Sequence, residues 1–515
     1  MAEKPHLSVV IAGHADSGKS TAVGRLIYDL GGLPEREMDK LRRDAENLGK
    51  SGSALAFYMD KMEERAKGMT IASKNKEFFT EKWHYTIVDV PGHREFIKNM
   101  VTGSSMADVA VVLVAADSDL GLINDQTREY TRVMNLLGVQ QLCICVNKMD
   151  CAGYSQSRYQ EVANETKAML TRSGWRRVFV ETAVPVLPIS GICGDNLQRK
   201  SDRMGWWNGQ SVVTKDKQEI HVETLLDVLD RAFLPPQRKD DTPLRMPLCN
   251  VFNVKGVGCV VSGRVEQGIV KPGEEVVFLP SMAEGKVFSI EMHHKRKEQG
   301  IPGDVLGLNI KGVDKARLPR IGDVMIYKTD TSLSVIKEFD AQVQVLEVPK
   351  AILPKFSPMA IVRTGHAPCT LTAIKWKVGR ETKGKKVENP SDLKASQMAQ
   401  CTFVPHRPLV VDTFRGTPGL ARLSFFHQKG LVMTGKVVSF TKAEGSVQEV
   451  IAAFKRFDKD GNGRISRSEL ATVFKSLNPN MTDRDLDDLM NSADKNNDGS
   501  LEIAEFVNSL FQSKP

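Results

Sequence analysis

Short apolar runs rich in valine and isoleucine alternate with helical patterns over residues 7–240. Runs of this length predict strands that are buried on both faces of a parallel sheet, with helices as the crossover connections. We therefore expect an α/β domain over residues 1–238, ended by the polar segment Pro235–Asp241, which breaks every periodicity. The strands predicted within it are Leu7–Ala12, Tyr85–Val90, Val109–Ala115, Leu142–Val146 and Val186–Ile189.

The pattern changes after Leu244 to short alternating strands separated by glycine turns. This spacing is typical of small β-barrels, and about 200 residues suffice for two of them. We place the barrels at residues 243–328 and 333–441, with a seam near Ile326–Ser334. After a polar linker at Thr441–Val447 a helical period returns, so the chain is predicted to end in an all-α module at residues 448–513.

Composition excludes several classes of protein. The 515 residues are 41% hydrophobic and 26% charged, as in ordinary globular proteins. Eight scattered cysteines without a C-x-x-C pair fit reduced thiols in the cytosol, and the apolar run Val109–Ala116 is too short to span a membrane. The net charge is +8, although residues 448–515 hold 9 basic and 12 acidic side chains. The basic body suits a polyanion such as RNA, but solvated basic faces are also common.

A phosphate-binding motif follows the first predicted strand. Gly13–Ser20 reads G-x-x-x-x-G-K-S and stands directly before a helical stretch. Glycines let backbone N–H groups converge on phosphate, the helix N-terminus adds a positive dipole end, Lys19 reaches the β- and γ-phosphates, and Ser20 ligates Mg²⁺. The alternative, a glycine-rich turn with a chance lysine, is disfavoured by the strand before and the helix after. The residues predicted to bind phosphate are Gly13, His14, Asp16, Ser17, Gly18, Lys19, Ser20, Thr21 and Gly92.

Three further segments end later strands of the same predicted sheet: Asp89–His93, Asn147–Asp150 and Ser190–Gly191. Asp89–His93 places a carboxylate where it can hold Mg²⁺ through water. Asn147–Asp150 supplies a carboxylate that can accept hydrogen bonds from the N1–H and N2–H₂ edge of guanine, which adenine lacks. A lone aspartate at such a position is often only a helix cap, but four motifs in order at strand ends predict a guanine-nucleotide site. The residues assigned to guanine are Asn147, Lys148, Asp150, Ser190 and Gly191.

These motifs together resemble translation elongation factor 1-alpha. The resemblance rests on Gly13–Ser20, Glu64–Thr70, Asp89–His93 and Asn147–Asp150, and it covers about residues 5–440. It continues in the predicted barrels through Gly263–Arg264–Val265–Glu266 and Glu291–His294. Other segments look like the elongation factor-like proteins that replace this factor in some algae and protists: Ala56–Asp60, Lys76–Glu81 and Lys375–Gly379.

The resemblance implies a GTPase that delivers aminoacyl-tRNA to the ribosomal A site. Thr70 would complete the Mg²⁺ coordination of Ser20 and Asp89, and His93 would position the attacking water. Arg264 and Glu266 would hold the aminoacylated end of the tRNA. The run Lys383–Lys386 could touch a tRNA backbone, although a solvated hairpin tip is an equally good explanation.

One departure from the family concerns the access of the catalytic histidine. The family usually has valine where Ala15 stands and isoleucine or valine at Met69, and these side chains keep the histidine away from the water. The smaller Ala15 predicts faster hydrolysis in the absence of ribosomes. The segment Asp117–Asn124 is also shorter than its family counterpart.

Residues 448–515 carry two twelve-residue segments that the family lacks. Each has oxygen-bearing residues at positions 1, 3 and 5, glycine at 6 and glutamate at 12, which is the pattern of a calcium-binding EF-hand loop. A single copy might be an aspartate-rich helix–turn–helix, but two in tandem favour Ca²⁺, and Ile465 and Leu501 are expected to pair across the loops. The predicted Ca²⁺ residues are Asp458, Asp460, Asn462, Arg464 and Glu469, with Asp494, Asn496, Asp498, Ser500 and Glu505.

The sequence therefore predicts a monomeric cytoplasmic translational GTPase that uses GTP, Mg²⁺ and Ca²⁺, with aminoacyl-tRNA, the ribosome and a guanine-nucleotide exchange factor as partners and no membrane. A rival within the class is a termination or ribosome-rescue GTPase, which is expected to carry a different N-terminal extension. A rival outside it is a calcium-responsive scaffold with a decayed GTPase. The presence of Lys19, Thr70, Asp89, His93 and Asp150 counts against that rival.

Overall fold

A computed structural model of the protein describes residues 4–50, 54–59, 74–90, 103–104, 107–117, 125–293, 295–314, 317–346, 351–428, 430–443, 464–477 and 498–502, together with residues 483, 486, 487, 490 and 494. Among these ranges, no helix is long and apolar enough to cross a membrane.

The N-terminal part of the chain forms a six-stranded sheet in the order β2-β3-β1-β4-β5-β6. The five strands predicted from sequence are confirmed and run parallel, whereas β2 is an antiparallel edge strand that the sequence pattern did not reveal. All seven residues of β1 and of β4 are buried, as expected for strands covered on both faces. The strands are β1 His6–Ala12, β2 Lys74–Phe79, β3 His84–Asp89, β4 Val109–Ala115, β5 Leu142–Asn147 and β6 Val186–Pro188.

Helices connect these strands, and a small hairpin follows the sheet. The helix α1 begins at Lys19, within the segment Gly13–Ser20, because Gly18 in the left-handed conformation ends the preceding loop. The helices are α1 Lys19–Asp29, α2 Glu35–Asn47, α3 Ala54–Met59, α4 Asp125–Leu137, α5 Gln156–Arg172, α6 Arg177–Thr182 and α7 Leu225–Asp227, the last continued by a π-helical turn at Val228–Ala232, with a 3₁₀ turn at Asp202–Met204. The hairpin consists of β7 Gln210–Val213 and β8 Glu219–Val222.

The first barrel is an antiparallel sheet in the order β11-β15-β9-β10-β14-β12-β13, closed into six strands by the pairing of β11 with β12. Closure removes the exposed edges that a flat sheet would leave. Its apolar side chains form a core separate from that of the α/β domain. The strands are β9 Met246–Val254, β10 Gly258–Arg264, β11 Glu275–Leu279, β12 Ala283–Met292, β13 Lys295–Lys297, β14 Val305–Lys311 and β15 Val324–Tyr327.

The second barrel repeats this plan in the order β17-β21-β22-β16-β20-β18-β19, closed by β17 with β18. A stack of Phe339, Phe403 and Phe425 lies fully buried at its centre. Its elements are β16 Ile336–Val345, β17 Met359–Val362, β18 Gly365–Val378, β19 Val387–Glu388, β20 Met398–Pro405, α8 Pro418–Ala421, β21 Arg422–His427 and β22 Gly430–Lys442.

In the C-terminal module the described residues include β23 Arg464–Ser466, α9 Arg467–Leu477 and β24 Ser500–Glu502. The two strands pair antiparallel, with Ile465 opposite Leu501. Both side chains are buried, so the expected pairing of these two positions is confirmed. The ladder joins the two predicted calcium loops to each other.

Candidate functional site

The loop between β1 and α1 has a backbone that only certain residues can adopt. Gly13, Asp16 and Gly18 all have positive φ, at 146°, 63° and 84°. A Cβ at Gly13 would lie 2.4 Å from the carbonyl oxygen of Leu113, and one at Gly18 would lie 2.4 Å from Nδ2 of Asn147. The glycines therefore let the loop fold tightly against β4 and the end of β5, which aims the N-terminus of α1 outward.

Lys19 and Ser20 begin the helix that follows this loop. The Lys19 ammonium is largely buried and donates a 2.8 Å hydrogen bond to the carbonyl oxygen of His14, which also accepts the Ser17 hydroxyl at 2.9 Å. This contact holds the positive charge across the loop, beside the N-terminus of α1, where the helix dipole favours negative charge. An anion such as a triphosphate is the ligand that this arrangement favours.

The hydroxyl of Ser20 meets the carboxylate predicted to hold Mg²⁺. Ser20 Oγ donates to Asp89 Oδ2 at 2.9 Å, and Asp89 is fully buried at the carboxyl end of β3. A hydroxyl and a carboxylate are hard oxygen donors, which suit Mg²⁺ when phosphate oxygens and waters supply its remaining ligands. The donor set and its position beside Lys19 therefore fit the metal.

Asn147 ties the loop to the opposite side of the site. Its Nδ2 donates to the carbonyl oxygen of Ser17 at 2.8 Å, and its Oδ1 accepts the Gly191 N–H at 2.8 Å. The side chain is 2% exposed. It therefore connects the phosphate loop with the segment that follows β6, a role that the motif alone does not indicate.

Asp150 is oriented by a contact with Ser190, which is also predicted to bind guanine. Its Oδ1 accepts a 2.5 Å hydrogen bond from the Ser190 hydroxyl, and Oδ2 lies 3.4 Å from Cys151 Sγ. Lys148, at φ 63°, forms a 2.9 Å ion pair with Asp117, which lies in the turn after the strand β4. Asp117 was not predicted as a site residue, although its place beyond a strand end is the signal that could have indicated it.

The electrostatic environment of the loop is positive. Burial lowers the pKa of His14, and the nearby Lys19 and Lys148 lower it further. The imidazole is therefore neutral at physiological pH, and the two lysines supply the local positive charge. Two carboxylates, Asp16 and Asp117, act on His14 in the opposite direction, but burial and the two lysines have the larger effect.

Arg264 and Glu266 lie at the junction of the three large domains. The Arg264 guanidinium is paired with Asp108 of the α/β domain, and the Glu266 carboxylate accepts a 2.8 Å bond from Arg363 in the second barrel. All four side chains are buried or nearly so. Burial favours the neutral acid of Asp108, but Arg264 and Arg238 hold the pKa of this carboxyl below its usual value. In this arrangement the two residues join domains, and their assignment to tRNA stays a prediction.

Part of each predicted calcium loop lies within the described residues. Glu469 accepts hydrogen bonds from the N–H and hydroxyl of Ser466 at 2.9 and 2.7 Å. Asp494 accepts the N–H of Gly499 at 2.8 Å, and Arg464 forms a 2.8 Å ion pair with Asp498. Carboxylates at the first and twelfth positions are thus turned toward their own loops. The other predicted ligands lie outside the described residues: Asp458, Asp460, Asn462, Asn496 and Glu505.

Three residues predicted for GTP chemistry also lie outside the described residues. They are Thr70, Gly92 and His93. Ser190 and Gly191 lie within them, next to Asp150 and Asn147 respectively. Among the described residues, those predicted to bind phosphate, Mg²⁺ and guanine therefore lie at one edge of the sheet.

A glycine-rich G-x-x-x-x-G-K-S loop between a buried parallel strand and a helix N-terminus, with polar side chains at the ends of neighbouring strands, is the arrangement of a P-loop nucleotide-binding domain. Comparison with known families narrows the class. The GTP-binding domain of elongation factor Tu matches residues 4–235, its domain 2 matches 258–326, the elongation factor 1-alpha C-terminal domain-like family matches 338–438, and an EF-hand domain pair matches 448–510.

Curated relatives agree with these matches. The chain is 39% identical to elongation factor 1-alpha of Eremothecium gossypii, an alignment that covers 88% of this chain and 98% of the relative. It is 40% identical to the same factor of Nanoarchaeum equitans, with 82% and 94% covered. The chain belongs to the elongation factor 1-alpha family of GTPases, with an EF-hand pair following the third domain. It hydrolyses GTP, with Mg²⁺ as the cofactor.

Solved structures share the fold of the three large domains. The GTPase-like domain of S. cerevisiae Ski7, bound to GTP, superposes with a TM-score of 0.68 at 17% identity, covering 85% of this chain and 98% of that one. Elongation factor SelB of Methanococcus maripaludis, bound to a GTP analogue, gives 0.60 at 20% identity, with 86% and 81% covered. At such identities the likeness shows the fold alone.

Proposed function

We propose that this GTPase delivers aminoacyl-tRNA to the ribosomal A site in the cytoplasm, with its three large domains at residues 1–238, 243–328 and 333–441. The observation that carries the proposal is the extent of the similarity: relatives named elongation factor 1-alpha match at about 40% identity through all three domains. The basic net charge of +8 is consistent with an RNA partner.

The positions of Lys19, Ser20 and Asp89, together with the resemblance at Thr70 and His93, support separate roles for these residues in hydrolysis. Lys19 would neutralise charge at the β- and γ-phosphates, while Ser20, Thr70 and Asp89 would hold Mg²⁺. His93 would orient the attacking water. Phosphoryl transfer depends on placement and on neutralised charge more than on covalent chemistry, so rigid positioning of the loop by its glycines and by neighbouring strands serves the reaction directly.

Guanine would be selected by Asp150. Its carboxylate can accept two hydrogen bonds from the N1–H and N2–H₂ edge, and the bond from Ser190 fixes its orientation. Asn147 would act by positioning, since it holds the Gly191 segment against the loop that binds phosphate. Adenine offers neither of the two donors, so it would leave the carboxylate unpaired.

Delivery can be tested with programmed ribosomes. Full-length protein, GTP and one aminoacyl-tRNA are expected to give dipeptide formation, and replacement of GTP by GDP should abolish it. A termination or rescue GTPase would not support dipeptide formation under either condition. A calcium-responsive scaffold whose GTPase has decayed would also fail to release phosphate from GTP. Phosphate release therefore distinguishes this rival from a termination or rescue GTPase.

We further propose that the EF-hand pair binds Ca²⁺ and modulates the GTPase. A Ca²⁺ effect on tRNA or nucleotide affinity must be a coupling free energy between two sites, typically about 1–3 kcal/mol. The full chain can be compared with and without Ca²⁺, and with the double variant Glu469→Gln and Glu505→Gln as the matched control. Identical affinities in all arms would leave the module as a tether or a localising element.

A further inference from the structure

A cluster of histidines and carboxylates occupies the contact between the α/β domain and the first barrel. His84 Nε2 lies 3.1 Å from Glu77 Oε2, and its ring centroid lies 5.5 Å from that of His293, which directly follows β12. His6 packs against His84 with centroids 5.3 Å apart. None of these side chains belongs to the nucleotide site described above.

Three members of the cluster come close to the spacing of metal ligands. One ligand atom from each of Glu77, His84 and His293 lies within 4.8 Å of the other two, and all three side chains are half-buried. Zn²⁺ is held at about 2.0–2.2 Å by imidazole and carboxylate donors, so two ligand atoms of a tetrahedral site lie roughly 3.4 Å apart. Side-chain rotations that draw the three atoms together by about 1 Å would place them around one ion, with water as the fourth ligand.

A neighbouring hydroxyl group orients one of these ligands. The Thr86 hydroxyl lies 2.8 Å from Nε2 of both His6 and His293, which fixes the orientation of the His293 ring. Hydrogen bonds of this kind are how metal sites orient their imidazole ligands.

Lys295 is the group that competes with a metal ion. Its ammonium lies 3.3 Å from Glu77 Oε1. The side chain is 68% exposed, so it can turn into solvent without burying its charge.

We propose that Glu77, His84 and His293 form a Zn²⁺ site that bridges the α/β domain and the first barrel. Glu77 and His84 lie on the paired strands β2 and β3, whereas His293 belongs to the barrel. The ion adds a coordinate link between two domains that are joined here by hydrogen bonds and ion pairs. This inference does not depend on the tRNA-delivery function.

The test uses the full-length GDP-bound protein, stripped of metals and then saturated with Mg²⁺ and Ca²⁺. Calorimetric titration with Zn²⁺ is compared for wild type, His293→Asn and Glu77→Gln, and Co²⁺ is used as a spectroscopic probe of imidazole coordination. His366→Ala is the matched control, because this histidine is exposed on β18 in the second barrel.

We expect wild type and His366→Ala to bind one Zn²⁺ with equal affinity at this site, and His293→Asn and Glu77→Gln to bind it at least tenfold more weakly. The tetrahedral Co²⁺ absorption should disappear in His293→Asn. Equal Zn²⁺ affinity in wild type and both variants would overturn the proposal. If His293→Asn no longer binds GDP, the variant has not folded, and the Zn²⁺ affinity of Glu77→Gln relative to wild type then tests the proposal by itself.

Discussion

Two parts of the protein are held together by different interactions. At the nucleotide site, segments of one domain are joined largely by hydrogen bonds of amide, hydroxyl and backbone groups. At the domain junction, buried charged side chains form ion pairs between domains. Asn147 represents the first kind of contact, with one hydrogen bond to each of two loops. Asp108 represents the second, because it pairs with Arg264 of the first barrel as well as with Arg238 at the end of its own domain. Neutral bonds within a domain fix a geometry, while buried ion pairs are costly to break and so hold whole domains in register.

The sharpest way to test the nucleotide side of this comparison is Asp150→Asn. The change replaces one accepting oxygen by an NH₂ donor and removes the charge that strengthens both guanine hydrogen bonds, each worth roughly 1.5–3 kcal/mol when one partner is charged. We expect GTP affinity to fall by about two to four orders of magnitude in equilibrium titration. Xanthosine triphosphate, which offers an acceptor in place of the N2 amine, should regain affinity in the variant. Unchanged GTP affinity would contradict the assignment of this carboxylate to guanine.

The domain junction is tested by Asp108→Asn. Loss of this charge leaves Arg264 and Arg238 without their buried counter-ion, which costs about 3–5 kcal/mol. The midpoint of thermal unfolding should fall clearly. Asp39→Asn is the control, because its pair with Arg42 is exposed and should change stability by less than about 1 kcal/mol. Equal midpoints for the two variants would show that the junction does not depend on this charge.

The same carboxyl predicts a pH dependence. The arginines hold the folded-state pKa of Asp108 below its usual value, so its contribution to stability is present above the unfolded-state pKa of about 3.9 and is lost as pH falls through the folded value. The stability gap between wild type and Asp108→Asn should therefore narrow in acid. A gap that stays constant from neutral pH to acid would be inconsistent with an ionised Asp108.

A smaller effect is expected from Asn147→Ala. The variant leaves the Ser17 carbonyl and the Gly191 N–H without their partner, and a buried unpaired group costs about 1–3 kcal/mol. We expect GTP and GDP affinities to fall together by about tenfold or more, since the residue positions both loops. A loss confined to guanine discrimination, with phosphate binding intact, would instead indicate direct contact with the base.

The smallest expected effect is that of Ala15→Val. The larger side chain should restrict access of His93 to the attacking water and lower hydrolysis without ribosomes by a few-fold, on the order of 1 kcal/mol in barrier. Single-turnover phosphate release measures it, with nucleotide affinity as the control. An unchanged basal rate would remove the idea that this position limits hydrolysis.

The sequence allowed local motifs and buried strands to be predicted, but not contacts between residues that are far apart in the chain. The loop at residues 13–20 and the buried strands were predicted because glycine spacing and continuous apolar runs act over a few residues. The edge strand β2 escaped because its sequence, KNKEFF, has few apolar positions. The pairing of Asp108 with Arg264 joins residues 156 positions apart, so it depends on how the domains dock and not on any motif.

Affinity for aminoacyl-tRNA in the two nucleotide states tests the proposed delivery function most directly. The full-length protein is loaded with either a non-hydrolysable GTP analogue or GDP, and one fluorescent aminoacyl-tRNA is titrated at fixed salt, because phosphate contacts are salt-dependent. Delivery predicts binding at least tenfold tighter in the GTP-like state, with deacylated tRNA bound weakly in both. Equal affinity in the two states, or no preference for the aminoacylated form, would contradict it.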